Sequence, residues 1–187
     1  MLSTTTMAKS ESIRTLEEAL EYVQIVKVCT LFSNKIAGLP SLWDAVDLPE
    51  SGGGRTKWDA RVEAIWAWKN ELPETYPDEV FYGKISGGLA VLMSMDYLRD
   101  VHYPKAHQPI SQCKDLAQKT FEIIRLDPGE TAEIRATAMD RHGCSKSQVE
   151  TTLKQLQITL NIARDNTPGI SMDRWVPFQE LYDGFLE

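Results

Sequence analysis

The sequence lacks any apolar run near the roughly 20 residues that a membrane-spanning helix needs. It is poor in cysteine: Cys29, Cys113 and Cys144 are the whole supply. They lie far apart, are odd in number and form no C-x-x-C pair, so neither a disulfide framework nor a zinc site is expected and the chain reads as a cytoplasmic protein. His102, His107 and His142 stand without partners at metal-ligand spacing, so no metal is expected. Positive charge is also scarce, with 20 Lys and Arg against 27 Asp and Glu, a net charge of -7. Bulk charge therefore does not steer the chain to a phosphate backbone; only a local patch could. No G-x-S-x-G and no Walker loop is present. The opening residues are Ser/Thr-rich without an apolar core, unlike a secretory leader. No catalytic residue and no cofactor is expected.

What is present suits a folded protein of one domain or two small modules. The 187 residues are 42% hydrophobic and include five Trp and six Tyr. Residues 1–11 are polar and expected to be mobile. Ser12 or Thr15 is placed to cap a helix whose first turn carries Glu17 and Glu18, with apolar spacing from Leu16 to Leu31. Gly38-Leu39-Pro40 stops it, and Ser41 caps a short helix. A Gly-rich loop at 51–54 precedes a helix over 57–71, which Leu72-Pro73 ends. Residues 79–85 and 89–93 read as a hairpin around Ser86-Gly87-Gly88. Little apolar matter and two prolines mark 104–110 as a linker between units 12–103 and 111–187.

The second unit has a clear rhythm. A helix begins at Ser111 or Asp115 and ends at Asp127-Pro128-Gly129. A second helix, capped by Thr131, closes at Gly143. A third begins at Ser145 with Gln148 three places on, a capping box, and buries Val149, Leu153 and Leu156. Residues 158–164 and 174–178 then read as two strands flanking a Pro168-Gly169 loop. Three helices and a strand-loop-strand wing are the parts of a winged helix-turn-helix. The expected fold class is thus α+β, mainly helical, with a winged helix in the C-terminal half. The first half follows a similar order, which extends the expectation to two winged-helix-like units in tandem.

Lys146, Glu150 and Lys154 share one face of the third helix, the one a winged helix offers to a major groove. Arg164 and Arg174 flank the wing, where they could meet phosphates. The plain alternative is a solvated Lys-Glu-Lys ladder. Arg55, Lys57 and Arg61 lie at the start of the helix after the Gly-rich loop, where exposed N–H groups favour an anion; the plainer alternative is a flexible loop with stray charges. Trp66 and Phe81 are expected in the core, while Trp68 and Tyr82 are candidates for exposure, able to stack an unpaired base. The candidate partners are duplex DNA or another protein.

The stretches "LWDAVDLP", "AWKNELPETYPDEVFYGKISGGLAVLMSMDYL" and "CSKSQVETTLKQLQITLNIARDN" resemble winged-helix proteins related to the AlkZ (YcaQ-type) DNA glycosylases. The resemblance implies tandem winged helices that hold DNA, in enzymes that excise alkylated or crosslinked bases. Those enzymes use a Gln-x-Gln pair in a catalytic region ahead of the last winged helices. Gln155-Leu156-Gln157 lies instead at the end of the third helix, with Leu156 expected in the core, so no catalytic role passes to it. The expectation is a non-catalytic DNA-associated protein, accessory or regulatory in repair. The alternatives are a glycosylase acting on a flipped base and a protein-interaction module docking through its hairpin edge.

Overall fold

The computed structural model describes residues 12–34, 38–49, 60–170 and 172–185. The expected mobile N-terminus, the Gly-rich loop, Arg55 and Lys57 lie outside the described residues. The architecture is α+β and mainly helical, with two three-stranded antiparallel sheets.

Helix α1, Leu16–Val26, starts at Thr15, whose hydroxyl accepts from the Glu18 N–H while the Glu18 carboxylate receives the Thr15 N–H. The helix was expected to run to Leu31, but it ends at Lys27, which adopts φ 69°. Strand β1, Val28–Thr30, follows, and all three residues are buried. Pairing with a strand from the hairpin overrides the helical spacing here, as suits two β-branched residues and a cysteine in an interior. Ser41 caps the short α2, Leu42–Ala45. Helix α3, Ala60–Thr75, runs past its expected end, because Leu72 and Pro73 are both buried inside it. Pro73 has no N–H to offer the Lys69 carbonyl, so packing holds the last turn.

Strands β2, Val80–Ile85, and β3, Leu89–Ser94, form the expected hairpin, with Phe81 opposite Met93 and Gly83 opposite Val91. Gly87 and Gly88 turn the chain with φ 84° and 80°, a conformation costly for any residue with a Cβ. The chain stays helical over 95–106: α4, Met95–Tyr97, a π turn over Leu98–His102, then α5, Tyr103–Ala106. Residues 104–106, expected to be linker, are thus helical, with Pro104 at the start of α5.

In the second half, α6 spans Asp115–Leu126, α7 Thr131–His142 and α8 Lys146–Ile158. A two-residue strand, β4 Gly129–Glu130, joins α6 to α7 where only a turn was expected. The cap of α7 is Glu130 rather than Thr131. The Thr131 hydroxyl instead accepts a hydrogen bond from the Trp175 indole at 2.8 Å. Gly143, at φ 64°, closes α7, and Ser145 with Gln148 forms the expected capping box. The strand expected from Ile158 begins only at Ile162, since α8 continues through Ile158 and Leu160 bends the chain at φ 53°. Strand β5, Ile162–Arg164, pairs antiparallel with β6, Arg174–Pro177: Ile162 faces Pro177, Ala163 faces Val176 and Arg164 faces Trp175. Helix α9, Phe178–Leu181, closes the fold.

Both halves run helix, strand, helix, helix, strand, strand, and the sheets have matching orders, β1-β3-β2 and β4-β6-β5. Each half has its own core, one around Ile65, Leu72 and Leu92, the other around Ile124, Leu153 and Leu156. A third core is shared. Phe81, Met93 and Leu98 from the first half meet Leu160, Ala163, Phe178 and Tyr182 from the second. The Phe81 and Phe178 rings meet edge-on at 6.1 Å, and Tyr103 stacks on Phe178 at 5.5 Å. Each buried aromatic in this seam is worth roughly 1.5–3 kcal/mol of transfer free energy.

A candidate nucleic-acid interface between the halves

Helix α8 buries Val149, Leu153 and Leu156 and leaves Lys146, Ser147, Glu150, Thr151 and Lys154 exposed. Its alignment in the fold follows from its cap, from Gly143 and from the apolar stripe, all legible in the sequence. The charged ladder is only partly closed. Glu150 accepts an ion pair from Arg135 of α7 at 3.3 Å and a looser one from Lys146 at 3.7 Å. Lys154 reaches across to the hairpin of the first half. Its methylenes pack so close to Gly88 that a Cβ there would lie 2.8 Å from Cδ.

Between α8 and that hairpin lies a cleft of about 390 Å³. Lys84 of β2 forms one wall, with Thr131, Asp173 and Trp175 beneath the α8 residues. Lys84 is half-buried, and its pKa is pushed down by burial first and by neighbouring Lys154 second. Gln157, 5% exposed, also lines the cleft. Its amide N–H donates to the Leu153 carbonyl at 3.2 Å, while its carbonyl oxygen meets no donor.

Next to the cleft, charge crosses the seam. Arg164 is 1% exposed, so it is not a phosphate-binding residue of the wing as expected. Its guanidinium donates to Asp173 at 3.0 Å and to the Ile170 carbonyl at 3.2 Å, and pairs with Glu74 of α3 at 3.6 Å. Inner-facing position on a three-residue strand, not the flank of a loop, decides its fate. Lys69 of α3, itself buried, pairs with the same Asp173 at 3.3 Å. Its ammonium also sits over the rings of Tyr82 at 5.0 Å and Trp66 at 5.3 Å.

The expected exposed aromatics are both inside. Trp68 and Tyr82 are each 7% exposed, packed in the first-half core, so neither is a stacking platform. Burial, and then Asp173, pushes the Tyr82 pKa up. Trp66, expected in the core, is the exposed one at 40%, beside Phe32, which also packs on Trp43. Trp66 and Trp68 lie two positions apart, on nearly opposite sides of α3, and packing reverses the roles expected of them. Phe81 is core, as expected. Arg61 lies over the Trp43 ring at 4.9 Å, away from α8 in sequence and element. Arg174 keeps partial exposure and pairs with Asp165 at 3.3 Å. Of the seven cations singled out in the sequence, the structure brings Lys154 to the cleft, with Lys146 on the same helix. In the sequence Lys69 and Lys84 stand out as neighbours of Trp68 and Tyr82, and Gln157 only as part of a Gln-x-Gln triplet given no role. Lys84 carried a weak signal, as a lone cation inside an apolar strand.

Among the described residues, no group of His, Cys, Asp and Glu is arranged to hold a metal ion. No helix there is long and apolar enough to cross a membrane. A family model described as AlkZ related matches residues 13–168, which is 156 of the 187 residues. The chain belongs to the AlkZ-related family. No curated protein and no solved structure matches it.

Proposed function

We propose that this chain is a DNA-associated protein built from two winged-helix units, accessory or regulatory and without catalysis of its own. One observation carries the reading: the helix, strand, helix, helix, strand, strand order occurs twice, each time with its last two strands paired, in a member of the AlkZ-related family. In such a unit the third helix and the ribbon face nucleic acid. Here the third helix of the second unit, α8, offers Lys146, Ser147, Thr151 and Lys154, and Arg174 follows on the ribbon. The acidic balance of the chain fits a weak, salt-sensitive grip rather than a tight one.

The Gln155-Leu156-Gln157 triplet supports no chemistry in this reading. Leu156 is fully buried, and the Gln157 amide N–H is bonded back to the Leu153 carbonyl of α8. The test is a gel-shift assay on a duplex at low salt. The Lys146→Glu, Lys154→Glu double variant is expected to abolish the shift; an undiminished shift removes the proposal. Incubating the wild type with an alkylated duplex separates the accessory reading from glycosylase activity, since abasic sites form only in the second case.

A further inference from the structure

We infer that the cleft between α8 and the first hairpin binds the phosphate of a nucleotide, with Lys84 and Lys154 supplying the charge from opposite halves. The inference deepens the DNA-associated reading by naming a site, yet it can fail or survive separately.

The cleft is lined by two cations, Lys84 and Lys154, and two acids, Glu150 and Asp173. The acids are already satisfied from outside the cleft. Arg135 and Lys146 hold Glu150, while Lys69 and Arg164 hold Asp173. Glu74 pairs with Arg164 in turn. The two acids of the lining are thus each paired with cations that do not line the cleft, in a chain whose net charge is -7. Among the described residues, neither Lys84 nor Lys154 has an acid within ion-pair distance. Both lysines line the same cleft; burial and then Lys154 push the Lys84 pKa down while Asp173 opposes, and an anion in the cleft offsets both costs.

The second observation is independent of charge. Gln157 is among the residues lining the cleft, and its carbonyl oxygen is buried and accepts no hydrogen bond. A buried acceptor without a donor costs about 1–3 kcal/mol. Turning the amide over would set its oxygen against the Leu153 carbonyl, so it is held as an acceptor. A ligand with an N–H or O–H beside its anionic group supplies the kind of donor this oxygen lacks. A nucleotide carries both, a phosphate and the donors of its sugar or base. Thr131, Ser147 and Thr151 add hydroxyls to the lining. A volume of about 390 Å³ lies toward the small end of ligand sites and admits one nucleotide, not a duplex.

The nucleotide could be free or part of a strand, and the experiment distinguishes the two. Calorimetric titrations at low salt use the full chain with inorganic phosphate, with deoxyadenosine 5′-monophosphate, and with a short single strand and its duplex. The mononucleotide is expected to bind more tightly than inorganic phosphate. Lys84→Gln and Lys154→Gln are each expected to weaken it by about tenfold, the loss of one hydrogen bond to a charged group. Lys119→Gln, whose lysine pairs with Asp115 on α6, leaves binding unchanged. If Lys84→Gln does not fold, Thr151→Glu on the exposed rim of the cleft is expected to abolish binding by repulsion. Binding of the mononucleotide without binding of either DNA keeps the cleft site and removes the DNA-associated reading. DNA binding that falls with the Lys146→Glu, Lys154→Glu double variant but is indifferent to Lys84→Gln overturns the cleft site and leaves that reading standing. If none of the probes binds, both are overturned.

Discussion

Replacing Arg164 by alanine tests whether the charges in the seam are structural. The guanidinium is buried and holds Asp173, Glu74 and the carbonyls of Asp165 and Ile170. Removing one partner of a buried ion pair costs roughly 3–5 kcal/mol, mainly because the other charge is stranded. Here the lower end applies, about 3 kcal/mol: Asp173 is 36% exposed and keeps Lys69, so Glu74 loses more than Asp173 does. That is a large share of a folding free energy of about 5–15 kcal/mol. For a chain of this size it corresponds to a fall in Tm of about 6–12 °C. The internal reference is Arg174→Ala on the neighbouring strand. That residue is 39% exposed with one partner, and its loss should cost about 1 kcal/mol or less. Urea denaturation of the two variants and the wild type measures the difference. Equal destabilisation of the two variants, within 1 kcal/mol, would refute the assignment of Arg164 to the interior.

Ser145→Ala removes the hydroxyl that receives the Gln148 N–H at the start of α8, and urea denaturation should show a loss of about 1 kcal/mol. Alkaline pH should destabilise the fold. Burial lifts Tyr182 from 10.0 to about 12 and Cys29 from 9.0 to about 12. Both groups favour the folded state fully below their unfolded values, and that contribution drains away between about pH 9 and 12 as the unfolded chain releases its protons first. A denaturation midpoint that stays level across that window would contradict the burial of both. Iodoacetamide should modify Cys144, which is partly exposed, well before Cys29 and Cys113, which react only on unfolding; mass spectrometry of a time course reads the order.

Much of the second half was legible because its signals are local. Ser145 and Gln148, Gly143, and the stripe of Val149, Leu153 and Leu156 each act within a turn or two of helix. The hairpin around Gly87 and Gly88 was legible for the same reason. Where long-range pairing decides, periodicity misled. Val28–Thr30 looks helical in sequence and becomes a strand because Val91–Met93 lies beside it. Gly129–Glu130 is too short to leave a pattern. The candidate site suffered most. Arg164 looks like any cation at the edge of a loop until Glu74, ninety positions away, is placed next to it. Trp66 and Trp68 differ by two positions on one helix, and only the packed neighbours of α3 decide which meets water. Lys84 and Lys154 belong to different halves, so no spacing rule could join them.

The shared core has a consequence for how such a chain can change. Phe81 and Met93 contribute to it from one half, Leu160, Ala163 and Phe178 from the other. Neither half could be borrowed as a free-standing part, because each alone would bare an oily sheet face to water. Inherited variation along that joint must come as matched pairs, since a change in volume on one side leaves a void or a clash on the other.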